Sequence, residues 1–309
     1  MSSSERAFGA ARALAAAAAL CLGLWAPLAA SAAEPQALPR PAHVVIVIEE
    51  NKAFRQIIGN PEAPYINALA REGALFTQSH AVTHPSQPNY LALFSGSTHG
   101  VRDDGCLAVL SGANLASELL AKGYSFATYS ESLPHPGYAG CAAGLYERKH
   151  NPAVNWQGVN VPAAANLPFD AFPADYAKLP TVAIVVPNMV NDMHDGPQAE
   201  AIAAGDRWLQ RNLEGYVRWA RTHDSLLVLT WDEDDGSIRN HIPTLFVGAH
   251  VRPGKYAERI DHYSVLRTLA AMYGLQPPGE AARAAVIDGI WQRADPRAPG
   301  PERPPGRAR

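Results

Sequence analysis

Three short, almost wholly apolar runs constrain this chain more than any other feature of its sequence. They span residues 43–48, 182–186 and 226–230 and are rich in valine, isoleucine and leucine. Such runs lack the polar–apolar alternation of half-exposed strands and are typical of strands buried on both faces of a parallel sheet. The sequence therefore predicts a parallel sheet with helices covering both of its sides.

Helix signals separate the predicted strands. Gly73 is a stop signal after the helical stretch 65–72, and Pro88 lies in the first turn of the stretch 86–94, where its missing N–H does no harm. Further helices are predicted over 114–122, 203–221 and 263–273, and further strands over 125–129 and 244–248. This alternation predicts an α/β fold, a three-layer α/β/α sandwich with a mainly parallel central sheet. We expect one domain, over residues 40–292.

Segment 133–176 departs from this alternation. It is rich in proline, glycine, alanine and asparagine and has no clean helical or strand period. We interpret it as a long excursion over one edge of the sheet, of the kind that forms a lid or a substrate loop.

The composition excludes several classes of protein. A net charge of −3 gives no electrostatic footprint for nucleic acid, so we expect no nucleic-acid partner. The 309 residues suffice for one large domain with a sizeable core. Residues 293–309 are rich in proline and arginine, and we predict that they form a disordered tail.

Residues 1–32 have the pattern of a secretory signal peptide. Arg6 and Arg12 precede the apolar stretch 13–28, and the sequence Ala-Ser-Ala at 30–32 is a small-residue cleavage site. The apolar stretch is short for a membrane span and contains a proline, so we expect cleavage and no stable membrane anchor. The mature protein is then periplasmic or secreted.

Export changes the interpretation of the cysteines. Cys21 would leave with the signal peptide, so that Cys106 and Cys141 remain in an oxidising compartment. We expect a disulfide between them, with two separate thiols as the alternative.

Polar side chains follow each of the three apolar runs. Glu50 and Asn51 follow the first run, Asp192 and His194 come shortly after the second, and the sequence Asp-Glu-Asp-Asp at 232–235 follows the third. Because ligands of parallel sheets bind at the carboxyl ends of the strands, we expect these groups to meet at one edge. Oxygen donors together with a histidine suit a divalent cation. Each cluster taken alone has a structural alternative. Glu50 and Asn51 could start a loop or cap a helix, Asp192 and His194 could belong to an Asx-type turn around Gly196, and the run at 232–235 could be a solvated acidic turn.

Ser86 ends a loop and opens the predicted helix 86–94. A helix N-terminus presents free N–H groups and a positive dipole end, which suit an anion. A nearby cation would also activate the hydroxyl as a nucleophile. A plain N-cap role is the alternative. His80, His84 and His99 flank the serine and are further candidates for a functional role.

Four motifs occur in order along the chain: Glu-Glu-Asn-Lys-Ala-Phe at 49–54, His-Pro-Ser-Gln-Pro-Asn-Tyr at 84–90, Asn-Asp-Met-His-Asp-Gly at 191–196 and Trp-Asp-Glu-Asp-Asp-Gly at 231–236. Together they resemble the bacterial phosphoesterase family, which contains metal-dependent acid phosphatases and non-haemolytic phospholipases C and looks like a branch of the alkaline phosphatase superfamily. The resemblance covers roughly residues 43–275 and implies an alkaline-phosphatase-like sandwich.

The resemblance also implies a role for each motif. Ser86 is similar to the family's nucleophile, which forms a phosphoserine, and Asn89 to the asparagine that contacts the transferring phosphoryl group. His194 and His241 fall near positions that contact metal or phosphate in the superfamily. The implied ligands of one or two divalent cations are Glu50, Asn51, Asp232, Glu233 and Asp192.

By the same resemblance, we expect an exported acid phosphatase that hydrolyses small phosphorylated substrates. A phosphodiesterase of the phospholipase C type is the first alternative, and an exported metal- or phosphate-binding protein without catalysis is the second. Sulfatases need a Cys/Ser-x-Pro-Ser-Arg frame, whereas that frame here begins with Thr83 and ends in Gln87. The same frame leaves Thr83 as an alternative nucleophile to Ser86.

Overall fold

The structure, a computed structural model, describes residues 38–292. The predicted signal peptide, 1–32, and the predicted tail, 293–309, lie outside the described residues. The ten strands are β1 (His43–Glu49), β2 (Ala74–His80), β3 (Phe126–Ser130), β4 (Ala142–Ala143), β5 (Tyr146–Glu147), β6 (Asn166–Pro168), β7 (Val182–Val186), β8 (Ser225–Trp231), β9 (Thr244–Gly248) and β10 (Gly254–Asp261). Within residues 38–292 the six α-helices are α1 (Phe54–Ile57), α2 (Pro64–Glu72), α3 (Ser86–Ser95), α4 (Leu115–Ala121), α5 (Gln198–Ala220) and α6 (His262–Tyr273).

Eight of these strands form one sheet in the order β10-β2-β9-β8-β1-β7-β3-β6, and β4 pairs with β5 in a separate hairpin. Only β9 among the eight runs antiparallel to its neighbours, so the sheet is mainly parallel, as predicted. The three apolar runs of the sequence lie side by side in its centre, because β1 pairs with β7 on one side and β8 on the other. Their carboxyl ends therefore meet at one edge.

Helices cover both faces of this sheet. Val44, Ile46 and Ile48 of β1 pack into a core with α3, α4 and α6. Val45 and Val47 pack into a second core with α2 and α5 on the other side. This alternation of buried side chains is the pattern that a strand sandwiched between two helical layers requires. The prediction of an α/β/α sandwich is confirmed.

Five strands, β2, β4, β5, β6 and β10, and the short helix α1 were not predicted, and helix α5 is longer than expected. β4, β5 and β6 have only two or three residues each and lie within segment 133–176. β2 reads Ala-Leu-Phe-Thr-Gln-Ser-His and mixes apolar with polar residues, while β10 lies at the edge of the sheet and is largely exposed. Neither has the unbroken apolar run that marks the central strands. α5 begins at Gln198, five residues before the predicted start, because its first turns are built from good helix formers such as alanine and glutamate.

Segment 133–176 is a packed part of the domain. β6 adds a strand to one edge of the sheet, and Trp156 lies in the core with none of its surface exposed. A 3₁₀ turn, Arg148–His150, brings a buried histidine toward the sheet edge where β1 ends. The segment thus contributes side chains to that edge and is held there by its own core residues.

Cys106 and Cys141 form a disulfide, as predicted. Such a bond persists in oxidising compartments and favours a location outside the cytoplasm. Within residues 38–292, none of the helices combines the length and the apolar character needed to cross a bilayer.

Asp206 on α5 caps a helix to which it does not belong. The N-cap position of α2 is Ala63, whose side chain makes no capping hydrogen bond. The Asp206 carboxylate instead accepts hydrogen bonds from the backbone N–H groups of Tyr65, at 3.1 Å, and Ile66, at 2.8 Å. The free donors of the first turn of α2 are therefore satisfied from across the helical layer, which joins α2 to α5.

We predict that Asp206→Ala destabilises the fold, because it leaves the buried N–H of Ile66 and the partly buried N–H of Tyr65 without this acceptor. The free energy of unfolding should fall by about 1–3 kcal/mol in urea titrations. Asp175→Ala is the matched control, since the exposed Asp175 caps only a 3₁₀ turn through Ala177. Its effect should stay within about 0.5 kcal/mol. Equal stability of the two variants would contradict this account of α2.

Candidate functional site

The carboxyl ends of β1 and β8 hold the acidic motifs together through the backbone. The N–H of Glu50 donates to the carbonyl of Asp192 at 2.7 Å, and the N–H of Asp232 donates to the carbonyl of Glu49 at 2.9 Å. Asn51 continues the pattern, because its N–H donates to Asp232 Oδ1 at 3.0 Å. The predicted convergence of the acidic motifs is thus a direct result of strand register.

Asn51 has a backbone conformation that explains its residue type. Its φ is +55°, in the left-handed region that asparagine tolerates better than most residues. The chain therefore turns sharply after Glu50 and aims the Asn51 N–H at Asp232. Asn51 also lines an open cavity of about 510 Å³ together with His84, Pro85 and Glu233.

Ser86 lies against this cluster. It is the first residue of α3, and the N-cap position is Pro85, so the hydroxyl is not engaged in capping the helix. Ser86 Oγ lies 3.0 Å from Glu50 Oε2 and 3.1 Å from Glu233 Oε1, and it donates to these carboxylates. A serine that is 2% exposed is thus held between acids that follow two different strands.

His84 contacts the carboxylate oxygen of Glu233 that Ser86 does not contact. Its Nδ1 forms a short hydrogen bond with Glu233 Oε2, and its Nε2 donates to the carbonyl of Ser237 at 3.1 Å. Burial lowers the pKa of His84, but the hydrogen bonds with Ser237 and Glu233 outweigh it, so the pKa lies above its ordinary value. A half-exposed imidazole of raised pKa therefore lies at the mouth of the cavity.

His150 is a site residue that the sequence analysis missed. Its ring stacks on Tyr90 with centroids 5.3 Å apart, its Nε2 lies 3.1 Å from Glu50 Oε1, and its Nδ1 lies 3.3 Å from Asp192 Oδ2. Tyr90 itself donates to Glu50 Oε1 at 2.6 Å. The only signal in the sequence is a polar Arg-Lys-His-Asn run within segment 133–176, and no period there indicates burial.

His194 completes a group of potential metal ligands. Its backbone N–H donates to Asp192 Oδ1 at 2.8 Å, and its ring centroid lies 5.7 Å from that of His150. One ligand atom from each of Glu50, His150 and His194 lies within 4.8 Å of the others. His194 Nδ1 also contacts Asp195 Oδ1 at 2.8 Å, at the exposed rim of the group.

Burial dominates the electrostatics of the cluster. It raises the pKa of Glu50 well above its ordinary value, with further increases from the charges of Asp232 and Asp192. It also raises the pKa of Asp192 and that of Asp232 to about 8 each. Burial lowers the pKa of His150 well below 6.5, which favours the neutral imidazole that a metal requires. The carboxylates are therefore costly to ionise unless a cation joins them.

The hydrogen bonding of the cluster leaves room for such a cation. Asp192 Oδ2, Asp232 Oδ2 and His150 Nε2 are buried and have no aligned hydrogen-bond partner among residues 38–292. The contacts of His150 with Glu50 and Asp192 are short in distance but lack hydrogen-bond alignment. Unused lone pairs on carboxylate and imidazole groups, buried together, fit the donor set of a divalent transition metal.

Glu49 is a further buried acid at the same edge. It is fully buried, and neither carboxylate oxygen has a hydrogen-bond partner in the part of the chain that the structure describes. Burial, followed by the charge of Asp192, raises its pKa well above the ordinary value. By the alternation of β1, its side chain belongs to the face of Val45 and Val47, opposite to that of Glu50.

Two of the residues implied by the family resemblance are occupied elsewhere. The Asn89 side chain accepts from the N–H groups of Val82 and Thr83 at 3.0 Å each and donates to the carbonyls of Thr83 and Pro85, so it fixes the loop before Ser86. His241 Nε2 donates to the carbonyl of Thr77 at 3.1 Å. Contact of either residue with a phosphoryl group stays a prediction.

A protein-family model and several known sequences match most of the described chain. The model of the phosphoesterase family matches residues 60–276. A phosphatidylinositol-3-phosphatase of Mycobacterium tuberculosis is 56% identical over 82% of this chain and 84% of its own length. A phosphate-repressible acid phosphatase of Penicillium chrysogenum is 33% identical over 69% of this chain. The match spans only about half the length of the fungal acid phosphatases, 55% for that protein and 51% for one from Aspergillus fumigatus.

Solved structures show the same fold at low sequence identity. A protein of the alkaline phosphatase superfamily from Vibrio parahaemolyticus has a TM-score of 0.54 at 14% identity, with 82% of this chain and 72% of that chain covered. A 2-O GAG sulfatase has a TM-score of 0.55 at 12% identity, with 80% and 73% covered. The alkaline-phosphatase-like architecture is therefore confirmed.

We predict that a divalent cation stabilises the protein through the acidic cluster. Addition of Mn²⁺ or Zn²⁺ to chelator-treated protein should raise the melting temperature in a scanning fluorescence assay, because a ligand at about 100 times its Kd adds roughly 2.7 kcal/mol. Glu50→Gln should remove most of this shift. Asp224→Asn, which changes an exposed carboxylate at the start of β8, should retain it. A cation response that is the same in all three proteins would exclude the cluster as the site.

Proposed function

Since the chain belongs to the phosphoesterase family, we propose that it is an exported, metal-dependent phosphatase that hydrolyses phosphomonoesters through a phosphoserine on Ser86. Family membership and the phosphatase relatives make it a hydrolase of phosphoric ester bonds. The observation that supports this mechanism best is the position of Ser86 Oγ, within hydrogen-bonding distance of both Glu50 and Glu233.

Ser86 carries the chemistry in this proposal. The hydroxyl proton passes to one of the two carboxylates that accept its hydrogen bonds, and the oxygen attacks phosphorus in line with the leaving oxygen. The Oγ–P bond forms as the bond from phosphorus to the leaving oxygen breaks, and the departing alcohol takes up a proton. Water then cleaves the phosphoserine, which releases inorganic phosphate and restores the hydroxyl. Glu50 and Glu233 orient Oγ from two sides, and Tyr90 and His84 in turn fix these two carboxylates.

The acidic cluster would hold the cation. Glu50 and Glu233 contact the Ser86 hydroxyl, and Asn51 is joined to Asp232 through its N–H. Asp192, His150 and His194 extend the donor set from Glu50. When bound, a divalent cation would offset the buried negative charge and stabilise charge on the serine oxygen and the phosphoryl group.

The remaining candidates act around the phosphoryl group. His194 lies beside His150 with a partly exposed ring, and His84 lines the open cavity together with Glu233, which contacts Ser86. In this proposal both histidines contact the anionic substrate. Asn89 sets the loop conformation from which Ser86 projects. The His241 ring stacks on those of Phe54 and His80, and it packs beside the site in this way.

The relatives suggest a substrate class. The relative that matches this chain over 84% of its own length is described as a phosphatidylinositol-3-phosphatase, which acts on a phosphomonoester of a lipid headgroup. We propose that phosphoinositides with a 3-phosphate are among the substrates. Export, which the signal-peptide pattern and the disulfide support, would place the enzyme outside the cytoplasm.

We predict that Ser86→Ala lowers kcat on p-nitrophenyl phosphate by at least about a thousandfold, because it removes the nucleophile, while metal content is retained. Thr83→Val is the control, since Thr83 Oγ1 donates only to the neighbouring carbonyl of His84 at 3.2 Å. Its kcat should stay near that of the wild type. The opposite pair of results would assign the nucleophile to Thr83.

We further predict that the enzyme releases inorganic phosphate from p-nitrophenyl phosphate and from phosphatidylinositol 3-phosphate, but does not cleave phosphatidylcholine. Transfer from a phosphomonoester leaves a phosphate on the serine, which water then hydrolyses. A lipid phosphodiester would leave a larger group on the serine and would need a larger site to accommodate it. Phosphate release and lipid products are measured with one enzyme preparation. Release of phosphocholine without phosphate release from the monoesters would favour the phospholipase C alternative.

A further inference from the structure

The loop residue Asp104 is bonded to the turn that carries Ser86. The backbone N–H of Gln87 is one of the free donors in the first turn of α3, and it donates to Asp104 Oδ1 at 2.9 Å. The Gln87 side chain donates to the carbonyls of Asp103, at 3.1 Å, and Gly105, at 2.8 Å. The residue that follows the nucleophile is thus fixed to one loop by three hydrogen bonds.

The same carboxylate reaches the segment that carries His150. Lys149 Nζ lies 3.4 Å from Asp104 Oδ2, and both side chains are mostly buried, with 15% and 30% of their surfaces exposed. Lys149 precedes His150, whose ring contacts Glu50 and Asp192. One carboxylate therefore connects the nucleophile turn with the histidine segment, and its partial burial makes the ion pair stronger than an exposed one.

The disulfide between Cys106 and Cys141 joins the same loop and histidine segment covalently. Cys106 follows Asp104 by two residues and is bonded to Cys141, whose carbonyl accepts from the N–H of Arg148 at 2.9 Å. Arg148 is anchored in turn, because its Nε and Nη2 donate to the buried Asn155 Oδ1 at 3.2 and 3.1 Å. The loop and the histidine segment are thus joined by an ion pair and by a covalent bond that lie close together in the chain.

We propose that Asp104 and the Cys106–Cys141 bond form a clamp that sets the position of Ser86 relative to His150 for phosphoryl transfer. The proposal rests on the proposed function, in which Ser86 is the nucleophile. Asp104 is a positioning residue in this clamp, since it acts through Gln87 and Lys149 and touches neither Ser86 Oγ nor the His150 ring. A displacement of about 1 Å between reacting groups costs up to roughly a hundredfold in rate, so a clamp of this kind affects kcat more than substrate binding.

The test compares Asp104→Ala, the double variant Cys106→Ser with Cys141→Ser, and their combination, all in the full chain. We expect kcat on p-nitrophenyl phosphate to fall by roughly tenfold to a hundredfold in each, with KM within about threefold of the wild type. Because both changes open one clamp, the combined variant should lose little more than either alone. Glu72→Gln, which removes an exposed ion pair with Arg221, is the control and should leave kcat unchanged.

Amide hydrogen exchange supplies a readout that does not depend on turnover. Opening the clamp should speed exchange in peptides that cover residues 86–90 and 146–151 together, both in Asp104→Ala and in wild-type protein treated with dithiothreitol. If Asp104→Ala does not fold, Lys149→Met and the reduced wild-type protein replace it.

Two kinetic results would overturn the clamp: a wild-type kcat in Asp104→Ala, or losses in kcat that multiply in the combined variant as for independent sites. Faster exchange in only one of the two peptides would also exclude it. Failure of the proposed function has a different signature, in which the wild-type protein hydrolyses no phosphomonoester or Ser86→Ala remains active. In that case the exchange data still decide whether Asp104 and the disulfide couple the two segments.

Discussion

Desolvated negative charge at the carboxyl edge of the sheet is the constraint on which the rest of the structure depends. Glu50 and Asp232 follow the two central strands, where helices on both faces keep water away. Carboxylates in such a position must be matched by hydrogen bonds, by neutral donors or by a cation. Hydrogen bonds match part of this charge: the hydroxyls of Ser86 and Tyr90 donate to Glu50, and backbone N–H groups donate to Asp232 and Asp192. Among the described residues, several buried lone pairs of these groups still lack a partner, and their chemistry fits the donor set of a divalent cation.

The sequence predicted the centre of the fold better than its margins. The runs at 43–48, 182–186 and 226–230 became β1, β7 and β8, because unbroken β-branched stretches flanked by polar residues are compatible with little else than a doubly covered strand. β2 and β10 mix polar and apolar residues, so their patterns resembled those of loops. The antiparallel direction of β9 was also unpredictable, since a hydrophobic run carries no information about direction.

The candidate site also contains residues that the sequence could predict and residues that it could not. Glu50, Asp232 and Ser86 could be brought together from the sequence because each directly follows or opens a regular element, whose end has a known place in an α/β fold. His150 lies in a segment held by 3₁₀ turns and by a distant core residue, Trp156, so its position depends on tertiary contacts that no local pattern encodes. The amide of Asn89 also fixes its own loop, a role that the sequence did not indicate, because its backbone partners come together only in the folded chain.

In the proposed clamp, the bond between Cys106 and Cys141 would make the rate of the enzyme depend on oxidation of the two thiols. Cytosolic chains keep their thiols reduced, so in a newly synthesised molecule the Asp104–Lys149 ion pair would act without the covalent bond beside it. Such a molecule would turn over phosphate esters slowly among the abundant phosphometabolites of the cytosol and gain its full rate only after oxidation. A single crosslink of this kind would separate the site of synthesis from the site of catalysis and protect the producing cell from its own hydrolase.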